Sequence, residues 1–287
     1  MIIPTVDCAR PDAEVRLPRA LAGAGCALLL SPPIPAGTVQ RIYDEWLAFF
    51  ASDAKHRHTA GATRPDGYFP PPEQSEGGFA GDRKEFFHVY PGGSYPPSTP
   101  ETALAYFAEA HTFARTLLDW IDRAEPEEDR ARRATSLARM ADGATATVLR
   151  VQHYLPAAPD EPAEASRAVA HTDLNLLTLM PAPSAPGLQV RHQGAWHDVI
   201  APPGSLLVQV GEMLQLASAG RYRAALHQVV HPGGQAAREP RMSLPLFVHA
   251  ADDVELAPGI SAAAFRDRRL AEIRAMGWRI VAGGPRR

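Results

Sequence analysis

Three short motifs in the second half of the chain combine side chains that can bind a metal ion with side chains that can bind an anion. The first is His171-Thr172-Asp173, the second is His227, which follows Asp173 by 54 residues, and the third is Arg241-Met242-Ser243. His171 and Asp173 are two residues apart, so on an extended strand or at its edge both side chains point to the same side and can bind one ion together. The fold must bring His227 back to complete the site.

Two neutral imidazoles and one carboxylate occupy one face of an octahedron and leave three positions open, which suits Fe(II) in enzymes that use oxygen. Zinc accepts the same three ligands, so the ligand types leave that ion open as well. An isolated His-x-Asp is a common pattern, and the metal hypothesis therefore depends on the surrounding residues. The other candidate histidines lie outside this spacing and are interpreted as exposed or hydrogen-bonded side chains: His153, His192, His197, His231 and His249.

Composition and net charge argue for a globular protein and against nucleic-acid-binding, secreted and membrane classes. The 287 residues are 45% hydrophobic and 21% charged, which is ordinary for a globular chain with a full core. The net charge of -3 and the lack of a long basic run argue against charge-driven binding of nucleic acid. The two cysteines, Cys8 and Cys26, form no disulfide framework, and no secretory leader or apolar run of roughly 20 residues is present. The sequence therefore predicts a cytoplasmic protein with neither a nucleic-acid nor a membrane partner.

Hydrophobic periodicity predicts helices first and short strands afterwards. The 22 glycines and 28 prolines are typical of many short elements joined by turns. This order favours one domain, 1–287, in which a β-sandwich or jelly roll (146–250) is buttressed by a helical and loop-rich part (1–145) and followed by a helix and tail (251–287). The predicted helices are 13–24, 36–51, 101–123 and 262–276. The predicted strands are 2–6 (an edge strand), 26–30, 147–154, 176–180, 188–191, 206–210 and 244–248.

The segment 61–97 is dense in glycine and proline yet rich in aromatic residues. Disordered linkers are usually poor in aromatics, so the composition predicts an ordered loop region with a few short strands. Such a region either forms the lid or wall of a pocket or plugs the end of a core.

The residues around the three motifs resemble the isopenicillin N synthase-like family of non-haem iron, 2-oxoglutarate-dependent dioxygenases. The resemblance is specific from about 147 to 248, and two earlier segments, Gly25-Cys26-Ala27 and Asp82-Arg83-Lys84-Glu85-Phe86, look like family segments too. Besides the motifs, it is carried by Gly187-Leu188-Gln189-Val190, Gly194-Ala195-Trp196, Pro203-Gly204-Ser205-Leu206, Gly211, and Ser218-Ala219-Gly220-Arg221-Tyr222.

The resemblance implies a mainly β fold with flanking α-helices, built on a double-stranded β-helix (a jelly-roll, cupin-like core). It implies Fe(II) held by His171, Asp173 and His227, with no further catalytic residue, and O2 as a co-substrate. The interval from His227 to Arg241 is 14 residues, longer than is usual in relatives, and the extra residues 233–239 look like a surface loop. Lengthening a loop costs little free energy, so the strands need not be disturbed.

The resemblance also implies a site for 2-oxoglutarate. Arg241 and Ser243 would bind its distal carboxylate, and a planar guanidinium suits this task because it makes paired charge-assisted hydrogen bonds. Met242 points the opposite way on a strand and can pack in the core. Tyr154 and Gln152 lie where relatives contact the co-substrate.

The implied reaction is oxidation of a small, carboxylated or amino-acid-derived metabolite by hydroxylation, desaturation or cyclisation, as in secondary metabolism, with succinate and CO2 as co-products. The carboxylate of Asp173 argues against halogenation, since related halogenases replace it with a small residue. Two alternatives remain open: an Fe(II) oxidase of the isopenicillin N synthase or ethylene-forming type that does not use 2-oxoglutarate, and a non-catalytic binding protein on the same fold. The predicted substrate contacts are Arg150, Phe87, His88 and Tyr90.

Overall fold

The computed structural model describes residues 3–61, 66–71, 84–156, 166–231 and 238–275. The helices are α1 (Ala13–Ala24), α2 (Ala36–Ala51), a 3-10 helix (Asp53–His58), α3 (Thr102–Ala124), α4 (Glu127–Arg130), α5 (Leu137–Met140), α6 (Glu212–Ala217) and α7 (Ala262–Ala275). The strands are β1 (Thr5–Asp7), β2 (Cys26–Leu30), β3 (Gly67–Phe69), β4 (Lys84–Val89), β5 (Val148–Tyr154), β6 (Ser166–His171), β7 (Leu177–Pro181), β8 (Leu188–His192), β9 (Ala195–Asp198), β10 (Leu206–Val210), β11 (His227–Val230), β12 (Arg241–Ser243), β13 (Leu246–Val248), β14 (Glu255–Ala257) and β15 (Ile260–Ser261).

Two sheets form the β core of the described chain. The major sheet runs in the order β1-β2-β10-β7-β13-β5-β4-β3, with β12 also paired to β5, and the minor sheet runs β6-β11-β8-β9. The strand pairs within both sheets are antiparallel apart from β1 with β2. The predicted mainly β core with flanking helices is confirmed.

Side-chain alternation gives the major sheet two different faces. On β5, Leu149 and Val151 belong to the large apolar cluster shared with the helices. Arg150, Gln152 and Tyr154 point the other way and line a pocket on the side of the minor sheet. Strand β5 therefore alternates apolar residues, which face the helices, with polar residues, which face the pocket.

The helix layer covers the apolar face of the major sheet. Helix α3 buries Phe107, Ala114 and Leu117 on one stripe, as the helical spacing predicts. Helix α2 places the fully buried Trp46 against Phe87 of β4, with ring centroids 4.9 Å apart. The predicted bounds of α1, α2 and β2 are confirmed, and those of α3 differ by one residue at each end. No helix in the described ranges is long and apolar enough to cross a membrane.

The structure corrects two strand predictions. The edge strand predicted at 2–6 is found as β1, Thr5–Asp7. The predicted strand 244–248 is broken, since β12 ends at Ser243 and β13 begins at Leu246. Pro245 has no N–H to donate to a sheet ladder, and its carbonyl accepts from the Arg150 N–H at 2.9 Å. Strands β6, β9, β11, β14 and β15 were not predicted. Within 61–97 the predicted short strands are present as β3 and β4, and residues 62–65 and 72–83 lie outside the described residues. Of the predicted surface loop 233–239, residues 233–237 also lie outside them.

A buried ionic network fastens β4 to its neighbours on the helix side. The Glu85 carboxylate accepts hydrogen bonds from Lys55 Nζ at 2.9 Å, Tyr68 Oη at 2.5 Å and His153 Nδ1 at 2.8 Å. Burial raises the pKa of Glu85, but the hydrogen bonds from His153, Tyr68 and Lys55 outweigh it and hold that pKa below its usual value. Glu85, singled out in the family-like segment, therefore has a structural place in this fold.

We predict that Glu85→Ala lowers the free energy of unfolding by about 3 kcal/mol, because it leaves a mostly buried ammonium and a buried imidazole without their anionic partner. Urea denaturation measures this change. The matched control is Asp44→Ala, which removes an exposed carboxylate that accepts from Gln40 and should change stability by less than about 0.5 kcal/mol. Equal losses in the two variants would contradict the assignment.

Candidate metal centre

Three side chains that are far apart in the chain converge where β6 meets β11. His171 ends β6, His227 begins β11, and the two residues are directly paired across the antiparallel ladder. Asp173 Oδ1 lies 3.8 Å from His171 Nε2 and 3.9 Å from His227 Nε2. Both separations are less than twice a metal–ligand bond of about 2.1 Å, so the two imidazoles can each share one ion with the carboxylate. Within the described ranges these three residues form the one cluster suited to a metal ion.

Backbone carbonyls orient both imidazoles. His171 Nδ1 donates to Val169 O at 2.7 Å, and His227 Nδ1 donates to Ala225 O at 3.0 Å. Because a carbonyl only accepts, Nδ1 carries the proton in each ring and the lone pair is on Nε2, towards Asp173. Partial burial and the second imidazole lower the pKa of His171 to about 4, so this ring is neutral at pH 7 and its lone pair is available to a metal.

Asp173 is oriented by a chain of donors. Thr178 Oγ1 donates to Asp173 Oδ2 at 2.5 Å, and Asn175 Nδ2 donates to Thr178 Oγ1 at 2.9 Å. Burial raises the pKa of Asp173, but His227, His171 and the Thr178 hydrogen bond together keep it below its ordinary value. The carboxylate is therefore ionised, with Oδ2 engaged and Oδ1 directed to the two imidazoles.

The turn after Asp173 depends on a close backbone approach. A Cβ at Gly211 would lie 2.0 Å from Asn175 O and 2.2 Å from Asn175 Oδ1, so only glycine fits there. The next N–H, that of Glu212, donates to Asp173 O at 2.8 Å. The start of α6 thereby holds the backbone of the metal-binding segment.

Helix α7 is tied to the same segment through two side chains. Thr172 Oγ1 donates to Glu212 Oε1 at 2.5 Å. Arg269 of α7 donates to both oxygens of Glu212, from Nε to Oε2 at 2.7 Å and from Nη2 to Oε1 at 3.0 Å. Sequence reasoning missed this link, because nothing local relates 172, 212 and 269.

A buried guanidinium faces the pocket from β12. Arg241 has no exposed surface, its Nε donates to Ala185 O at 3.0 Å, and its guanidinium lies 4.9 Å from the Tyr154 ring centroid. Its two terminal nitrogens, Nη1 and Nη2, have no hydrogen-bond partner among the described residues. A desolvated cation of this kind requires an anionic partner, so Arg241 fits the carboxylate of a ligand.

One pocket, with an empty volume of about 450 Å³ that includes open solvent, joins the three metal-binding side chains to Arg241. Gln209 lines it too, and its buried Nε2 has no hydrogen-bond partner among the described residues. Sequence reasoning missed Gln209, although a lone amide in the apolar run of β10 was a usable signal. The lining is Lys84, Arg150, Gln152, Tyr154, Ala168, His171, Asp173, Thr178, Met180, Leu188, Gln209, His227, Val229, Arg241, Pro245 and Phe247.

The other residues proposed for the co-substrate lie at the Arg241 end. β12 pairs with β5 so that Arg241 is opposite Tyr154 and Ser243 is opposite Gln152. Gln152 Oε1 accepts from Tyr154 Oη at 2.6 Å and from Ser243 Oγ at 3.3 Å. Ser243 itself is fully buried and does not belong to the lining.

The residues proposed for the substrate are separated by the sheet. Arg150 lines the pocket, and its Nε donates to His88 Nε2 at 2.8 Å. Tyr90 packs edge-on to His88 at 6.2 Å and lies outside the lining. The structure corrects the prediction for Phe87, because alternation along β4 turns it into the helix-side core, where it contacts Trp46. Phe86 and His88 occupy the pocket side instead, opposite Gln152 and Arg150 of β5.

We predict that Thr178→Val weakens metal binding about 10-fold to 100-fold, because Asp173 Oδ2 loses the donor that orients the carboxylate. Calorimetric titration with Mn(II) measures the affinity. Thr112→Val, which removes an exposed α3 hydroxyl bonded to Ala108 O, should leave it unchanged. Wild-type affinity in Thr178→Val would show that the hydroxyl does not orient Asp173.

Removal of the α7 link should have a smaller effect on the same affinity. We predict that Arg269→Ala weakens Mn(II) binding by about threefold to tenfold, since it acts through Glu212 and Thr172 and does not touch a ligand. Arg268→Ala is the matched control, because this neighbour is exposed and far less closely paired. A similar loss in both variants would mean that helix stability is the cause.

Comparisons with known proteins agree with this geometry. A family model described as the 2OG-Fe(II) oxygenase superfamily matches residues 146–250. A crystal structure from Shewanella oneidensis, assigned as an oxygenase, is 37% identical with a TM-score of 0.88 and covers 96% of this chain and 99% of its own. A crystal structure from Caulobacter crescentus, assigned to the 2OG-Fe(II) oxygenase family, is 25% identical with a TM-score of 0.78 and covers 94% and 99%.

A curated relative, 1-aminocyclopropane-1-carboxylate oxidase homolog 5 of Arabidopsis thaliana, is 40% identical over 78 residues, which are 27% of this chain and 19% of that protein. The chain thus spans only a fraction of this relative, whereas it matches the Shewanella structure over nearly its whole length. The shared fold confirms the double-stranded β-helix predicted for the core. From the family match over the β core and the near-complete likeness to a solved relative, the chain belongs to the 2OG-Fe(II) oxygenase superfamily, the non-haem iron family that its motifs resemble.

Proposed function

We propose that the protein is an Fe(II)- and 2-oxoglutarate-dependent oxygenase that oxidises a small, carboxylated or amino-acid-derived metabolite, releasing succinate and CO2. The observation that carries the proposal is the buried Arg241 guanidinium, with two unpartnered terminal nitrogens, in the same pocket as the His-Asp-His cluster. We place the activity in the cytoplasm, which the free thiols of Cys8 and Cys26 support.

His171, Asp173 and His227 would hold the iron through the two Nε2 atoms and Oδ1. When bound there, Fe(II) supplies the activation of O2 coupled to oxidative decarboxylation of 2-oxoglutarate. The chain holds both imidazoles in one orientation, with Nδ1 towards Val169 O and Ala225 O. The ligand set is therefore arranged before the metal arrives, which reduces the reorganisation that binding requires.

Arg241 would hold the distal carboxylate of 2-oxoglutarate. Its Nη1 and Nη2 are the pair that a carboxylate meets in a bidentate contact, and Nε is already engaged with Ala185 O. We assign Tyr154, Gln152 and Ser243 to the same end, since hydrogen bonds join their side chains beside the guanidinium. The apolar side chains that line the pocket would exclude water from the bound co-substrate: Ala168, Met180, Leu188 and Val229.

An oxidase that does not use 2-oxoglutarate can also carry Arg-x-Ser, so a measurement has to separate it from the proposal. A fully buried guanidinium left without an anion is costly, and a dicarboxylate that reaches the metal from Arg241 removes that cost. Consumption of 2-oxoglutarate in step with substrate oxidation tests the distinction. A non-catalytic binding protein would give neither succinate nor oxidised product.

The direct test is an anaerobic titration with Fe(II) and 2-oxoglutarate, followed by the weak visible charge-transfer band of the metal chelate. We predict that the wild type develops the band and that Arg241→Gln weakens 2-oxoglutarate binding about 100-fold, while Mn(II) affinity stays within about threefold. Arg241→Lys keeps the charge but not the fork of donors, so its affinity for 2-oxoglutarate should lie between those of the wild type and Arg241→Gln. This variant still tests the site if Arg241→Gln does not fold.

The control for this titration is Arg191→Gln, since Arg191 is an exposed arginine of β8 that stacks on Trp196. It should bind 2-oxoglutarate like the wild type. A wild type without the band, or an Arg241→Gln variant with unchanged affinity, would refute the proposed co-substrate site.

A further inference from the structure

Gln209 places an amide in the otherwise apolar strand β10. Its neighbours Leu207, Val208 and Val210 are buried hydrophobic residues, and Gln209 itself is only 1% exposed. Side-chain alternation directs Val208 and Val210 to the helix side of the major sheet, and Leu207 and Gln209 to the pocket side. A polar side chain therefore occupies a pocket position where an apolar one would pack without loss of hydration.

The amide nitrogen of Gln209 is buried and has no hydrogen-bond partner among the described residues. A buried donor without an acceptor has lost its hydration without compensation, so such groups in folded proteins normally bond to protein, water or ligand. One other residue of the pocket lining has this property, since Nη1 and Nη2 of Arg241 are also buried and unpartnered within the described ranges. Both side chains thus offer donors to an acceptor that enters the pocket.

Gln209 lies at the metal end of the pocket. It is directly opposite Thr178 in the antiparallel pair of β10 with β7, and the Thr178 hydroxyl donates to Asp173 Oδ2 at 2.5 Å. Arg241 lies past the far end of β7, where its Nε donates to Ala185 O at 3.0 Å. The two unpartnered donor groups are therefore at opposite ends, one beside the metal-binding side chains and one remote from them.

The polar groups next to Gln209 in the sheet do not supply its acceptor. Thr178 Oγ1 donates to Asp173 Oδ2 and accepts from Asn175 Nδ2 at 2.9 Å. On the other side Gln209 is opposite Cys26 of β2, a buried free thiol, and a thiol is a weak acceptor. An acceptor for the Gln209 amide therefore has to come from outside the described chain.

A 2-oxo acid brings such an acceptor to the metal end. The carboxylate next to the ketone has two oxygens, and a chelate formed by the ketone and this carboxylate uses one of them. The other oxygen remains a charged acceptor, which is costly to bury without a donor. An amide suits this place, because it makes a charge-assisted hydrogen bond without adding a charge to the site. The distal carboxylate is already assigned to Arg241.

We propose that Gln209 Nε2 donates to the carboxylate next to the ketone of 2-oxoglutarate and thereby makes the site selective for 2-oxo acids. The inference rests on the proposed function, since it takes the metal and 2-oxoglutarate as bound. Gln209 is then a binding residue for the metal end of the co-substrate, as Arg241 is for the distal end.

The first test compares Gln209→Met with the wild type, each as the full chain loaded with Mn(II), which allows binding without turnover. Methionine is similar to glutamine in length and volume but has no donor. We predict that 2-oxoglutarate binds at least about tenfold more weakly, because a hydrogen bond to a charged oxygen is lost. Mn(II) affinity should stay within about threefold, since Gln209 bonds to none of the metal-binding side chains. Calorimetric titration measures both affinities.

Gln189→Met is the matched control for this substitution. Gln189 is a glutamine of β8 whose amide donates to Asp198 Oδ1 at 2.9 Å in an exposed position, and it does not line the pocket. This variant should bind 2-oxoglutarate like the wild type. Gln209→Asn keeps an amide but shortens the side chain by one methylene, so its affinity should lie between those of the wild type and Gln209→Met.

2-Oxopentanoate identifies the end of the ligand that Gln209 contacts, because it keeps the 2-oxo acid group and has a methyl group in place of the distal carboxylate. Its affinity is measured by displacement of 2-oxoglutarate. In Gln209→Met it should fall by the same factor as that of 2-oxoglutarate, within about threefold. In Arg241→Gln it should fall by less than about threefold, since the group that Arg241 binds is missing.

Unfolding of the ligand-free protein separates a binding role from a structural one. Replacing a buried amide that has no partner by an apolar side chain of similar size is nearly neutral or stabilising. The midpoint of urea denaturation of Gln209→Met should therefore equal or exceed that of the wild type. An amide that stabilised the fold would lower the midpoint when removed.

Three results would overturn the inference. The first is unchanged 2-oxoglutarate affinity in Gln209→Met. The second is a 2-oxopentanoate affinity that does not fall in this variant, or a wild type that binds 2-oxoglutarate but not 2-oxopentanoate. The third is a lower denaturation midpoint or failure to fold, which would give the amide a structural role. A wild type that does not bind 2-oxoglutarate is found at the outset, and it would count against the proposed function itself.

Discussion

The pairing of β6 with β11 is the contact on which the metal centre depends. It sets His171 directly opposite His227 although 55 residues of chain separate them, and the free energy that closes this long loop comes from the sheets around it. Each imidazole is then oriented by a carbonyl of its own chain segment. The site needs no side-chain rearrangement to present its Nε2 atoms, because the same backbone that forms the strands also fixes the tautomers.

Side chains of the major sheet alternate between two faces, one packed against the helices and one lining the pocket. Odd positions of β5 and β4, such as Val151 and Glu85, face the helix layer, where apolar packing and the Lys55–Glu85 network hold the strands together. Even positions, such as Arg150 and Gln152, face the pocket. The polar pocket wall is thus supported from behind by a buried core. Close packing on that side limits how far the wall can move.

The two arginines of the pocket differ in how the protein satisfies them. Arg241 is fully buried, and both of its terminal nitrogens lack a partner among the described residues, so it carries a desolvated charge that the proposed 2-oxoglutarate would compensate. Arg150 is braced by His88 and two aromatic rings, so its geometry does not depend on a ligand.

Local patterns in the sequence determined the bounds of α1, α2 and β2, because helical and strand periodicities arise within a few residues. The motifs also predicted the His171, Asp173 and His227 cluster that the structure brings together, and they predicted Arg241 and Ser243 as the co-substrate site. Only the tertiary structure decided that Phe87 faces the core while His88 lies on the opposite side of β4, beside Arg150. It also decided that Gln209 joins the lining and that Glu212 links Arg269 to Thr172. A one-residue change of register reverses the face of every side chain on a strand. Register is set by pairing with distant strands, and so it cannot be derived from local spacing.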